Sequence, residues 1–268
     1  MQGFGGSRMR VAALYDIHGN VVALEAVLRE VREENVDLIV VGGDVLPGPM
    51  PRETLTRLTA SEIPVRFIHG NGDRVVATQL AGGDISEVPE AFRAVISWTA
   101  RQLDAGQRQS LPRWPPTCQV EISGLGQVLF CHATPRNDTE CFTRLTPEGR
   151  LAPVFAGVTA SVVVCGHTHM QFDRTVGPLR VVNAGSVGMP FAAPPGAYWL
   201  LLGPDVRLRR ADYDFAKAAA QIRATAFPQA ETLAVRYVVN PPTEADTLQM
   251  YAGVELRSAS LEPRRILE

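Results

Sequence analysis

VAALYDIHGN (residues 11–20), LIVVGGD (38–44), FIHGN (67–71), VLFCH (128–132) and VVVCGHTH (162–169) are hydrophobic runs that end in residues of metal-ligand type. Each run reads as a buried strand with its polar residue at the carboxyl end. In an open α/β sheet, ligands collect beyond those ends, so side chains spread over about 150 positions can meet in one crevice. All five histidines fall in these stretches, and four of them stand at candidate ligand positions: His18, His132, His167 and His169. Asp16, Asp44 and Asn71 complete the set. Any one of these histidines alone would read more simply as a hydrogen-bonded core residue; taken together, in this context, they read as a metal site. Asp16/His18 and His167/His169 stand at i and i+2, which in an extended segment places both side chains on one side. Carboxylate plus imidazole suits Mn, Fe, Zn or Ni better than Ca.

Outward from these runs the chain organises itself. Leu24, Val27, Leu28 and Val31 form a helical stripe between the first two strands, so residues 10–74 read as βαβαβ. Pro51 opens a helix through Ala60. Residues 89–111 carry Phe92, Val95, Ile96, Thr99 and Leu103 at helical spacing, a helical insertion within about 74–116 beside the crevice. Segments 117–123 and 127–132 flank Gly124-Leu125-Gly126 as a hairpin in which Cys118 and Cys131 face each other. Short strands at 171–176, 179–183, 197–202 and 206–211 read as a meander completing a second sheet. Beyond it lie a helix at 215–226, a strand-like or mixed stretch at 233–239 and a helix at 244–254.

The 268 residues with net charge −2 and 20% charged side chains carry no basic excess that would draw nucleic acid, and no nucleic-acid patch is evident. Cys118, Cys131, Cys141 and Cys165 show no CxxC spacing, so disulfides are not expected and a cytoplasmic setting fits. No apolar run is long enough for a membrane span. Residues 1–9 read as a flexible lead, with Met9 a candidate start, and 215–268 as an extension packing on the same domain. Oligomeric state leaves no mark in the sequence.

Asp16-Ile17-His18-Gly19-Asn20, Gly43-Asp44, Gly70-Asn71, His132 and Gly166-His167-Thr168-His169 resemble, in order, the motifs of the calcineurin-like metallophosphoesterases. Asn183-Ala184-Gly185-Ser186-Val187-Gly188 follows as in their small bacterial and archaeal phosphodiesterases. The resemblance spans residues 11 to about 214 and implies an α/β sandwich of two sheets flanked by helices, the metallophosphoesterase domain occupying 10–214. It further implies two divalent ions, Mn foremost: Asp16, His18 and His169 on one, Asn71, His132 and His167 on the other, and Asp44 bridging. Two ions about 3.5–4 Å apart can clamp a phosphate and activate a shared water, so in-line attack by a bridging hydroxide is expected. Asn71, being neutral, leaves the ions net positive charge for an anionic substrate.

One position departs from the family pattern. Where many members carry a leaving-group-protonating histidine after the GN asparagine, this chain has Gly72. General acid catalysis is worth about 10²–10⁴-fold, so its loss weighs most on poor leaving groups. His69 and Asp73 flank the gap and each could substitute, with His69, on the strand side, reading more readily as a packing or stacking residue. The substrate is therefore expected to be a phosphodiester or nucleotide phosphoanhydride. The alternatives are a phosphomonoesterase acting on a phosphoprotein or metabolite, and a non-catalytic metal-bound binding module. Asn20 is either the cap of the first helix or a phosphate contact. Arg74 and Arg136, just beyond ligand positions, are either phosphate-binding or solvated. The arginines at 207–210 read as the outer face of an edge strand.

Overall fold

The structure is a computed structural model that describes residues 9–256. Strand β1 (Val11–Leu14) pairs parallel with β2 (Leu38–Val41), and β2 with β3 (Val65–Phe67). Helices α1 (Val21–Glu33) and α2 (Pro51–Thr59) make the crossovers. Every residue of β1 and β2 is buried, as expected for parallel strands covered on both faces. Between β3 and the next strand lie α3 (Asn71–Leu80), α4 (Glu90–Gln102), α5 (Ala105–Ser110) and a 3₁₀ turn, Leu111–Arg113. The helical reading of 89–111 thus splits in two: Asp104 caps α5 through a hydrogen bond from Gln107 N, and the chain turns there.

The second sheet has the order β4-β5-β6-β8-β7, from β4 (Thr117–Ile122), β5 (Gly126–Cys131), β6 (Val162–Cys165), β7 (Gln171–Val176) and β8 (Leu179–Ala184). Helix α6 (Glu148–Phe155) covers its outer face. The expected meander does not form. The β7–β8 hairpin joins this sheet, with β8 parallel to β6, whereas β9 (Ala197–Leu202) and β10 (Val206–Ala211) cross to the first sheet, giving β10-β9-β1-β2-β3. Strand β9 is buried throughout and takes the place antiparallel to β1, which the βαβαβ start leaves open. In the β4–β5 hairpin, Cys118 opposes Phe130 and Thr117 opposes Cys131. The one-residue offset sends Cys118 to the inter-sheet face and Cys131 to the opposite one, so they do not face each other. All four cysteines are free.

Period-two alternation divides the core. Val11, Ala13 and Tyr15 meet Val120, Val128, Phe130, Val162 and Val164 between the sheets. Ala12, Leu14, Ile39 and Val41 face the helices. Each large side chain so buried contributes about 1.5–3 kcal/mol. The layers are therefore helix, sheet, sheet, helix.

Helix α7 (Phe215–Arg223) packs on α1, followed by α8 (Ala230–Leu233), a π-helical turn (Ala234–Val239) and α9 (Glu244–Tyr251). The strand-like reading of 233–239 is wrong. Ala234, Tyr237 and Val238 pack into the helical layer, where tertiary contacts override β-branched composition. Of the expected N-terminal lead only Met9 is described, and it packs against the inter-sheet core; residues 1–8 and 257–268 lie outside the described residues. No helix among the described residues is long and apolar enough to cross a membrane.

Candidate metal centre

Asp16 and His18 follow β1, Asp44 follows β2, Asn71 is the first residue of α3, His132 follows β5, and His167 and His169 follow β6. The carboxyl ends of both sheets meet there. Asp16, His18, Asp44, His167 and His169 all have positive φ, between 46° and 66°. This revises the expectation that pairs at i and i+2 share a side by strand alternation. The strands have ended, and left-handed turns, unfavourable for non-glycine residues, aim the side chains.

Two groups of three result: Asp16, His18 and His169, and Asp44, His132 and His167, with donor atoms within 4.8 Å of one another in each. Asn71 joins the second through Oδ1, 3.1 Å from His132 Nε2. Asp44 faces both, with Oδ2 3.8 Å from His18 Nε2 and Oδ1 3.6 Å from His132 Nε2. All seven expected ligands therefore converge.

Backbone carbonyls orient the imidazoles. Nδ1 of His18 lies 3.3 Å from Pro47 O, that of His132 3.0 Å from Gly42 O, and that of His169 2.6 Å from Met189 O. A carbonyl only accepts, so these Nδ1 atoms carry the proton and each Nε2 presents a lone pair to the centre. His167 is turned the other way, with Nε2 3.2 Å from Thr139 O. His18 Nε2 and His169 Nε2 consequently stand 3.4 Å apart, lone pair toward lone pair. Asp16 Oδ1 is buried with no hydrogen-bond partner among the described residues, 3.3 Å from His169 Nε2. A cation between these atoms would resolve both frustrations, so the donor set fits divalent metals.

Titration points the same way. Burial opposes ionisation of Asp16, yet the nearby His169, His132 and His18 hold its carboxyl below the usual range. Burial and the charge of Asp16 push Asp44 upward. Burial, with neighbouring histidines, lowers His18 and His167 to about 3, so both stay neutral and able to ligate.

Among the residues expected to bind substrate, Asn20 is placed as the cap of α1. Its side chain is 1% exposed; Oδ1 accepts from Ala23 N, capping α1, and Nδ2 donates to Gly188 O. Arg74 makes a two-bond pair with Asp138 (2.6 and 2.9 Å), and Arg136 pairs with Glu140. Asp73, which flanks Gly72, accepts through its buried carboxyl group from Leu46 N and Gly70 N and holds the start of α3. Arg209 pairs with Glu30 and Glu34 over Trp199, on the edge strand as expected.

Supporting residues that the sequence did not reveal include Asn183, whose Nδ2 donates to Gly166 O and Thr168 Oγ1 and fixes the GHTH turn. Ser186 Oγ donates to Asp16 O and accepts from Met189 N, which positions the carbonyl facing His169. The NAGSVG stretch at 183–188, part of the family resemblance, was the available signal for these; the carbonyls of Gly42, Pro47, Thr139 and Met189 leave none, since any residue supplies one.

Residues 9–202 match the model of the calcineurin-like phosphoesterase superfamily domain. The chain belongs to this superfamily. It is 25% identical to an uncharacterised protein of Methanocaldococcus jannaschii, covering 82% of this chain and 94% of that protein. It is 26% identical to the 3',5'-cyclic adenosine monophosphate phosphodiesterase CpdA of Pseudomonas aeruginosa, covering 76% and 84%. The crystal structure of a metallophosphoesterase from Sphaerobacter thermophilus is similar, with 27% identity, a TM-score of 0.69, and 86% and 98% of the chains covered. A hypothetical protein from Pyrococcus horikoshii shares the fold at 21% identity and a TM-score of 0.72, covering 88% and 100%. As a calcineurin-like phosphoesterase, the chain falls among metal-dependent hydrolases of phosphate esters.

Proposed function

We propose that this protein hydrolyses a phosphodiester or a nucleotide phosphoanhydride with two divalent ions, Mn foremost and Fe, Ni or Zn as alternatives. The observation that carries the reading is the convergence of seven donor residues in two adjoining groups, with Asp16 Oδ1 buried and without a hydrogen-bond partner among the described residues. Asp16, His18 and His169 would hold one ion, Asn71, His132 and His167 the other, and Asp44 both. When bound, such ions supply Lewis acidity and lower the pKa of bound water. The chain's own part is to hold the donors in place. The carbonyls of Pro47, Gly42 and Met189 keep three imidazoles in the ligating tautomer, and Gly72 N–H fixes Asp44 with a 2.8 Å bond to Oδ1. Two carboxylates against two dications leave positive charge to draw an anionic substrate.

The choice of diester or anhydride rests on Gly72 and Asp73. The residue after Asn71 has no side chain, and Asp73 is committed to backbone N–H groups, so a leaving group that needs little protonation fits best. The name of the Pseudomonas relative, a cyclic-nucleotide phosphodiesterase, supports the same side. In this reading residues 10–214 are the catalytic unit and 215–268 an extension. Four free cysteines support a cytoplasmic setting.

The test is metal content of the purified protein together with turnover of bis(4-nitrophenyl) phosphate and 4-nitrophenyl phosphate, each with Mn, Ni, Zn or Mg. About two ions per chain and faster diester turnover are expected. Faster monoester turnover would reverse the substrate preference, and no metal with no turnover would leave a binding module.

A further inference from the structure

Beside the centre, not on it, lies an open cleft of about 290 Å³ lined by His69, Asp73, Arg74, Ala77, Thr78, Leu111, Pro112 and Trp114. The strands contribute none of its wall; α3 forms one side and the 3₁₀ turn with Trp114 the other. We infer that this cleft is a base-recognition subsite, taking the planar heteroaromatic ring of a nucleotide whose phosphate sits at the metal centre. The inference rests on the proposed phosphoester chemistry only for where the phosphate lies.

Placement is the first argument. Asn71, a candidate ligand, opens the helix whose residues Asp73, Arg74, Ala77 and Thr78 line the cleft. At 1.5 Å rise per residue the cleft runs from about 3 Å to about 10 Å along α3 from Asn71, a distance that a ribose can bridge. The guanidinium of Arg74 also senses the charge of Asp44, so cleft and centre share one field.

Size and chemistry select the ring. The volume is at the small end of ligand pockets, enough for one ring system and too little for a folded peptide. Trp114 is stacked on Phe67, with centroids 4.6 Å apart and planes at 15°, so its indole is held before any ligand arrives. Leu111, Pro112 and Ala77 add apolar surface. The polar groups in the lining would meet the edge of a base. The Thr78 hydroxyl donates to Arg74 O and keeps its lone pairs for a ligand donor, and among the described residues Asp138 takes Nε and Nη2 of the Arg74 fork but not Nη1. An alkyl group would leave these polar atoms unmet, and a bare sugar would forgo the aromatic wall.

The experiment compares binding of adenosine 5'-monophosphate and ribose 5-phosphate, which share the phosphate and differ by the base, by calorimetry on the full chain with and without Mn. Wild type should bind the nucleotide at least about tenfold more tightly. Trp114→Ala, which removes the stacking wall, and Ala77→Leu, which fills the cleft, should each reduce that ratio towards one while thermal unfolding reports that the fold persists. Equal affinities in wild type, or a ratio that both folded variants preserve, would overturn the inference. If wild type shows the preference but hydrolyses no aryl phosphate with any metal, the hydrolase reading fails and the base subsite stands.

Discussion

Gly72 is where residue-scale physics most changes the functional reading. A Cβ there would lie 2.3 Å from Leu46 O and 2.8 Å from Pro47 Cδ, so the loop after Asp44 occupies the space a side chain needs. The missing histidine is thus a steric consequence of how loop 44–47 lies on α3. Gly72→His should fail to raise turnover of alkyl esters and should cost about 1–3 kcal/mol by overpacking; faster alkyl-ester hydrolysis with an unchanged melting temperature would contradict this. Asp73 is the complementary case. It caps a helix that begins on a candidate ligand, so Asp73→Ala leaves the N–H groups of Leu46 and Gly70 without acceptors. A loss of about 1–3 kcal/mol in denaturant unfolding is expected; a change within experimental error would remove it from this role. Gly72 was legible as a departure from pattern, but its cause was not, because the clashing atoms lie 26 and 25 positions away.

At the scale of elements, Asn20 illustrates a residue whose two readings only packing separates. Its cap bond to Ala23 N starts α1, and its bond to Gly188 O ties that helix to the segment carrying Met189, whose carbonyl faces His169. Asn20→Ala should lower stability by about 1–2 kcal/mol, with no selective rise in KM for aryl phosphodiesters; a KM effect with unaltered stability would restore the phosphate-contact reading. Of the five opening runs, four contain a strand of at least four residues, since such apolar stretches have no better way to bury themselves, whereas in 67–71 only Phe67 belongs to β3. The meander failed as a prediction because local pattern does not say which sheet edge a hairpin will join. The stretch 233–239 failed because its neighbours, not its propensity, decide its geometry.

For the whole molecule, the centre ties stability to pH and metal. Burial and Asp44 raise Asp73 to about 8, while burial and Asp16 raise Asp44; unfolded, both would titrate near 3.9. From about pH 6.5 to 8 the metal-free native state therefore holds more protons than the unfolded state, and stability falls as pH rises. His18 and His167, lowered to about 3, are neutral in the native state but partly protonated in the unfolded chain near pH 6.5, so they oppose this slope at the acid end of the window and drop out above about pH 7.5. Chelator-treated protein should melt lower at pH 8.5 than at pH 6.5, and Mn should raise the melting temperature more at the higher pH, where fewer protons compete for the buried carboxyl groups. A flat or rising metal-free profile would contradict the assignment of these buried acids. The sequence alone determined the family, the two-sheet α/β class and the seven residues that converge, because strand-end motifs carry their chemistry in side-chain identity. Tertiary structure alone decided the assignment of strands to sheets, the imidazole orientations and the closure of Gly72. These depend on backbone carbonyls, left-handed turns and contacts between distant segments, which any residue can supply and no local pattern encodes.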